Sequence, residues 1–497
     1  MTEKALNYVA GEWIWPKGRA EIESRNPADW REVVAVLPAS DAEDVNQAVA
    51  AAKAAFTGWR RTPPPARAEC IRRAGEALKR EKSRLAELIC REMGKPWAEA
   101  AGDVQESIDM AALAAGEGQR LHGLTVPSEL PNKLCMTFRE PVGVCGLITP
   151  WNFPTAIPAW KAFHALVCGC PFILKPSRDV SLCAAEFIKC LTEGGFPKGV
   201  IGLIHGAGGS VGEALIDHPD VRLIAFTGSS VTGAHISSRC GALNKNCSME
   251  MGGKNAQIVL ADANLDLAID GALWGAFGTC GQRCTATSRL IVDAAVHDRV
   301  VDRLAARAKG LKLGHGGDKS SELCPVINES QYKSVLDYIQ IGRNEGAHLI
   351  CGGASARKGA LEHGWFIEPT IFTGVSRSMR IFKEEIFGPV LSVVKCNGVE
   401  EAVEILNDSE FGLSSSIYTS NMNAAFWATR EIEAGICYIN GPTIGAEVQL
   451  PFGGVKATGN GHREAGQAGL DIFSEWKTVY LDYSGKLQKA QIDTAAD

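Results

Sequence analysis

The stretch Val142–Thr149, "VGVCGLIT", is a short apolar run with a strand's length and no helical period. It opens a series that continues with "PFILK" (Pro171 to Lys175), "VIGLIH" (Val200 to His205) and "VRLIAFT" (Val221 to Thr227). Each run is followed by a turn marked by Gly, Pro or Ser and then by a plausible helix. Strand, turn and helix repeated in this way predict a parallel sheet covered on both faces. A second alternating series, from about Asn255 to Tyr438, includes "SRLIVDAAV", "PVLSVVKC" and "GLSSSIYT" and predicts a second α/β domain. Upstream the pattern is helical. "SDAEDVNQAVAAAKAAF" opens with Ser40 and Glu43 at capping-box spacing, and Val45, Ala48, Val49, Ala52, Ala55 and Phe56 share one face. "ARAECIRRAGEALKREKSRLAELICREMGK" reads as one or two further helices. "KLCMTFRE" (Lys133 to Glu140) and "EWKTVYLDYSG" (Glu475 to Gly485) alternate apolar and polar residues without a helix of their own. Isolated ribbons are marginal in water, so these two should pair with each other or with another subunit.

A chain of 497 residues is too long for one ordinary core. Hydrophobic content of 45% and charged content of 22% are those of a globular protein, and a net charge of -6 argues against nucleic acid as a partner. The N-terminus lacks a basic segment followed by an apolar stretch, which predicts no signal peptide. The most apolar window, Ala162 to Leu174, is too short to span a membrane. The 16 cysteines form no Cys-x-x-Cys pair and no Cys/His set at zinc spacing, so no metal site is expected. Free thiols in such number suit the cytoplasm, and most read as small core residues.

Chemistry concentrates in the turns. "GAGGSVG" (Gly206 to Gly212) has Gly-x-Gly-x-x-x-Gly spacing, and "FTGSSVTG" (Phe226 to Gly233) also follows a strand and opens a helix. Placed at the ends of adjacent strands, the two turns would form a nucleotide crevice. In "PWNFP" (Pro150 to Pro154) two prolines flank Asn152, whose amide suits a developing oxyanion; the commoner use of such a residue is as a turn asparagine. Lys175 in "ILKPS" reaches the same sheet edge. "GTCGQRCT" (Gly278 to Thr285) holds two cysteines. Cys284 follows Arg283, a setting that lowers a thiol pKa, whereas Cys280 has no adjacent charge. Glu250, 34 positions before Cys284 in "MEMGGKN", could be a base beside open backbone.

"PWNFP", "KPS", "FTGS" with Gly233, "EMGGKN", "GQRC", "EEIFGPV" and "PFGGVK" occur in the order and approximate spacing of the aldehyde dehydrogenase superfamily, which this chain resembles from "YVAGEW" to "PFGGVKATGNGHREAG". The resemblance implies a doubly wound parallel-sheet cofactor domain (1–120 and 141–252), an α/β catalytic domain (253–455) and a β-ribbon oligomerisation arm (121–140 and 472–497) that makes a homodimer or homotetramer. It implies Cys284 as nucleophile, Glu250 as general base, and Asn152 with the Cys284 N–H as oxyanion donors. Trp151, Lys175, Ser177, Gly208, Gly212, Gly228, Ser229, Glu385 and Phe387 fall at cofactor-binding positions. The implied reaction is NAD(P)-dependent oxidation of a small-molecule aldehyde through a thiohemiacetal and a thioester. The competing readings are a CoA-acylating enzyme, which typically lacks the glutamate, and a non-catalytic nucleotide-binding protein on the same fold.

Arg178 stands where many NAD-using relatives carry a glutamate, so NADP is expected to be used, in preference to NAD; the alternative is that Arg178 points to solvent and Asp179 or a water takes the ribose. The family suggests a proton relay through Lys161 and Glu464. An extra residue, His462, interrupts the usual motif and sets that pairing in question. Arg283 could meet a carboxylate at the far end of the substrate, or it could serve the thiol or pack against a neighbouring loop. With Glu106 in "DVQESID", it resembles segments of α-aminoadipic semialdehyde dehydrogenases, while "PFGGVKATGNGHREAG" looks closer to the α-ketoglutaric type. Both take acid-bearing aldehydes.

Overall fold

The computed structural model describes residues 2–492, so residues 493–497 of the expected arm lie outside it. Two seven-stranded sheets carry the molecule. In the first, β1 (Asn7–Val9), β2 (Glu12–Ile14), β3 (Val144–Ile148), β4 (Phe172–Lys175), β5 (Ile201–Leu203), β6 (Val221–Thr227) and β7 (Asn246–Glu250) lie in the order β7-β6-β3-β4-β5-β1-β2. The strands from β3 to β7 run parallel, and β1 and β2 add an antiparallel edge. Every residue of β3, β4 and β5 is buried, which is why these strands read as unbroken apolar runs rather than as alternation.

Chain order matters here. From β3 the sheet grows one way through β4 and β5, then the chain returns to lay β6 on the other side of β3. The carboxyl ends of β3 and β6 therefore flank a topological switch point, the place where open α/β sheets bind ligands. Sequence reasoning put the two glycine turns on adjacent strands. The structure separates them, because β3 and β4 lie between β5 and β6. The turn that shares the crevice with "FTGSS" is "PWNFP".

The second sheet contains β8 (Ala256–Val259), β9 (Arg289–Asp293), β10 (His348–Cys351), β11 (Thr370–Thr373), β12 (Val390–Cys396), β13 (Ser414–Tyr418) and β14 (Ile436–Ile439), in the order β10-β11-β12-β9-β8-β13-β14. Only β10 pairs antiparallel with its neighbour.

Helix α1 (Ala42–Arg61) is capped by Asp41, not Ser40. The Asp41 side chain accepts from Glu43 N at 2.9 Å and Asp44 Oδ2 accepts from Asp41 N at 3.0 Å, a reciprocal box one residue later than predicted. Ser40 Oγ is used instead by Asn7 Nδ2, 2.9 Å away. Helix α2 (Pro64–Glu92) is one continuous element. Helix α3 (Trp97–Glu117) then places Asp103 under the start of α4 (Ala156–Cys168). Asp103 Oδ1 accepts from Ala156 N at 2.8 Å and Thr155 Oγ1 at 2.7 Å, and Oδ2 from Lys95 Nζ at 2.7 Å. That cap fixes the chain just after "PWNFP".

The ribbon segments pair with each other. Lys133–Pro141 and Ser474–Asp482 run antiparallel in register from Pro141↔Ser474 to Lys133↔Asp482. Thr125–Pro127 adds a third strand. Phe138, Trp476, Tyr480 and Leu481 remain exposed on them.

Candidate active site

A cavity of about 320 Å³ fills the switch point. Its walls include Trp151 and Asn152 after β3, Gly228 and Ser229 after β6, and Glu385 and Phe387 from the second half of the chain. Helix α5 (Ser230–Ala242) starts there with Ser229 as its cap, Oγ accepting from Thr232 N at 3.3 Å. Its first N–H groups and the buried, unpartnered Ser230 Oγ suit an anionic group. A Cβ on Gly228 would lie 2.5 Å from the Phe226 ring. Glu385 Oε1 accepts from Gly253 N at 3.0 Å, and burial pushes its pKa up to about 7. Phe387 holds φ +54° and packs edge-on to Trp151 at 5.3 Å. Donors, a carboxyl for ribose hydroxyls and an aromatic wall fit a dinucleotide.

Lys175, Ser177 and Arg178 continue the same sheet edge beyond β4. Burial lowers the Lys175 pKa to about 8 against the opposing pull of Asp179, and its Nζ donates to Pro176 O at 3.0 Å. Ser177 Oγ donates to Asp179 Oδ2 at 2.9 Å. Arg178 is exposed, and its guanidinium has no hydrogen bond or ion pair among the described residues. Gly208 and Gly212 follow β5, line no part of this cavity, and have open space where a Cβ would stand.

A second cavity, of about 110 Å³, lies on the other side of Cys284 and is lined by Glu106, Phe153, Trp160, Glu250, Arg283, Phe452 and Glu464 among others. Cys284, Thr227 and Met251 face both spaces. The neighbouring Cys280 is fully buried in the left-handed turn Thr279–Cys280, at φ +50° and +57°. Asn152 Nδ2 donates to Gln282 O at 3.0 Å, tying "PWNFP" to the turn that carries Cys284 and leaving its second N–H available. Glu250 is 2% exposed, and neither carboxylate oxygen has a partner among the described residues. Burial, and then the charge of Glu464, raise its pKa well above the ordinary value.

Two expectations change. Cys284 is not an acidified thiol at rest: burial, then Glu385 and Glu250, push it up to about 12. Arg283 does not offset this, because its guanidinium is engaged by Glu99 and Thr279. The extra His462 does not break the lysine–glutamate pairing either. Lys161 and Glu464 form a buried ion pair, and Glu464 exchanges two 2.7 Å backbone hydrogen bonds with Phe452, which anchor it beyond the insertion. Glu106 lines the second cavity, with its pKa raised to about 8 by burial first and Asp103 next.

Residues 13–479 match the aldehyde dehydrogenase family. The chain belongs to that family. It is 42% identical over 484 residues to α-ketoglutarate semialdehyde dehydrogenase of Haloferax volcanii, covering 97% of this chain and 100% of the relative. It is 39% identical over 476 residues to α-ketoglutaric semialdehyde dehydrogenase of Bacillus subtilis, covering 96% and 98%. The crystal structure of betaine aldehyde dehydrogenase from Staphylococcus aureus in complex with NAD+ superposes with TM-score 0.95 at 33% identity, covering 97% of this chain and 95% of that one. This is an NAD(P)-dependent aldehyde dehydrogenase with the family's fold.

Two supports of the aldehyde dehydrogenase site were missed in the sequence. Asn255 Nδ2 donates to Cys284 O at 2.7 Å and Ala286 O at 3.0 Å, and its Oδ1 accepts from Ser414 N at 2.9 Å. It ends the quoted "EMGGKN", which was the available signal. Glu99 carried no signal, because its partners lie 180 or more positions away.

Proposed function

We propose that this aldehyde dehydrogenase oxidises an acid-bearing semialdehyde to the dicarboxylate, with Cys284 as nucleophile, Glu250 as base and Asn152 as oxyanion donor. The single observation that carries the assignment is the position of Cys284, the one cysteine lining both the dinucleotide-shaped and the substrate-side cavities. The half-buried thiol must lose its proton to solvent before it attacks, and Glu250 lines the same cavity with neither carboxylate oxygen partnered among the described residues. Sγ then adds to the carbonyl carbon, and the oxyanion is held by Asn152 Nδ2 and the Cys284 N–H. The dinucleotide, when bound, supplies the hydride acceptor that turns the thiohemiacetal into a thioester. Glu250 next takes a proton from water, whose oxygen attacks the thioester and releases the acid and the thiol. A glutamate at this place supports water, rather than CoA, as the acyl acceptor.

Names of the relatives support a substrate bearing a carboxylate, and the cavity offers two donors for it. Arg283 Nη1 has no hydrogen bond among the described residues. Glu106, with its pKa near 8, is a protonated donor at neutral pH. The exposed Arg178 supports preferential use of NADP, since a guanidinium pairs with a 2′-phosphate that a glutamate would repel. Gly208 and Gly212 are left without a cofactor contact in this reading. The domain boundaries inferred from sequence divide the chain between the two sheets and the ribbon. The ribbon joins subunits of a homodimer or homotetramer, and sixteen free thiols suit the cytoplasm.

The test is absorbance at 340 nm with neutral and acid-bearing aldehydes, each with NAD and NADP, and with Cys284→Ala as control. Turnover that favours semialdehydes and vanishes in the variant is expected. Activity on neutral aldehydes alone would discard the substrate assignment. Arg178→Glu should move the KM ratio toward NAD by tenfold or more; a wild-type ratio strongly favouring NAD removes the NADP reading.

A further inference from the structure

Glu99 sits in the first turn of α3, far in sequence from the nucleophile, yet it meets the nucleophile turn at three points. Its Oε1 accepts from Thr279 N at 3.0 Å, and its Oε2 accepts from both Thr279 Oγ1 and Arg283 Nη2. Arg283 Nε closes the triangle by donating to Thr279 Oγ1 at 3.0 Å. The ion pair is largely buried, with side-chain exposures of 14% for Glu99 and 11% for Arg283. The guanidinium also packs over the Phe153 and Trp274 rings, 5.5 and 5.9 Å from their centroids. Thr279 is a β-branched residue at φ +50°, followed by Cys280 at φ +57°, a conformation that persists only when its surroundings impose it. Glu99 is one of those constraints. Burial works to raise its pKa, but Arg283 and the Thr279 donors prevail and keep it below the ordinary carboxyl value.

We propose that Glu99 is a positioning residue with two effects: it pins the left-handed turn that presents Cys284, and it balances the charge of Arg283 so that the substrate-side cavity offers a moderated anion contact. The second effect rests on Arg283 as the contact for the substrate's carboxylate; the first does not. Glu99 thereby sets how strongly the enzyme distinguishes an acid-bearing aldehyde from a neutral one. With the carboxylate removed, the cavity wall gains a full positive charge, and an anionic substrate gains more than a neutral one.

The experiment is a cycle of Glu99→Gln, Arg283→Gln and the double variant, assayed with an acid-bearing and a neutral aldehyde of matched length. Glutamine keeps one acceptor for Thr279, removes the charge and sets an NH2 donor where Oε2 accepts from Thr279 Oγ1 and Arg283 Nη2. The ratio of kcat/KM for acid over neutral substrate should rise at least fivefold in Glu99→Gln, through KM. It should fall in Arg283→Gln and stay at that lower value in the double variant. Equal changes for both substrates in Glu99→Gln overturn the charge effect, as does an unchanged ratio in Arg283→Gln. Melting should be non-additive, with Glu99→Gln below the double variant, because a buried unpaired guanidinium is worse than none; additive melting overturns the pairing. Glu99→Asp keeps the charge but cannot span Thr279 and Arg283 together, and it remains readable if the glutamine variant does not fold. Alkylation of Cys284 by iodoacetamide, measured without substrate, should speed up at least threefold in Glu99→Asp as the turn loosens. An unchanged rate overturns the hold on the turn, whatever the substrate proves to be.

Discussion

Glu250 and Cys284 meet one cavity with shifts that run the same way, the carboxyl raised by burial and then by Glu464, the thiol raised to about 12. A carboxyl with a raised pKa becomes a base only as pH rises through that value, and a thiol becomes a nucleophile in the same direction. Both shifts therefore have one sign: turnover climbs with pH on the alkaline side of neutrality. Glu250→Gln should lower kcat by ~10²–10⁴-fold, the usual yield of a positioned base, and flatten the part of the profile due to the carboxyl. A quenched-flow trace should then show a burst of reduced cofactor followed by slow thioester hydrolysis. A variant without a burst would place Glu250 before acylation. The proposed nucleophile Cys284 and oxyanion donor Asn152 were legible from sequence in turns of distinctive composition, and the proposed base Glu250 at the end of β7, just ahead of Gly252 and Gly253. The ionisation states were not, since burial and the partners Glu385 and Glu464 are properties of the folded cavity. Arg283 is the instructive case: adjacency in sequence suggested an acidified thiol, while adjacency in space gave the charge to Glu99.

Helices α3 and α4 and the "PWNFP" turn act as one element pair through Lys95 and Asp103. Both side chains are fully buried, and Asp103 also satisfies the first donors of α4. Asp103→Ala would strand the Lys95 ammonium over the Phe153 ring, 3.5 Å from its centroid, and uncap the helix. The expected loss is about 3–5 kcal/mol for one member of a buried pair, read as a lower urea midpoint. Because Asn152 lies in the turn that this cap holds, kcat should fall as well; an unchanged kcat would mean that the Gln282 hydrogen bond alone positions Asn152. The existence of α1 was legible from its 3.6-residue pattern, whereas α2 read as one or two helices and α3 was not singled out. The cap of α1 was misplaced by one residue because Ser40 and Asp41 are both good caps, and a tertiary hydrogen bond from Asn7 decides which serves.

Across the whole molecule, the ribbon carries Phe138, Trp476, Tyr480 and Leu481 exposed on strands that pack against little else. Such a surface suits the subunit contact proposed above. Trp476→Asp combined with Tyr480→Asp should shift the mass measured by light scattering to a smaller species without abolishing binding of the dinucleotide. An unchanged mass would remove the ribbon from the interface. By itself the sequence determined the strand–turn–helix rhythm, the two α/β halves, the glycine-rich turn that carries Cys284 and the family resemblance, since apolar periodicity and turn composition act over a few residues. Tertiary structure alone decided that β3, not β5, lies beside β6, that Lys161 still reaches Glu464 past an inserted residue, and that Glu99 grips the turn before Cys284. These depend on contacts between residues far apart in the chain and on charges removed from water, where a partner's position outweighs local preference.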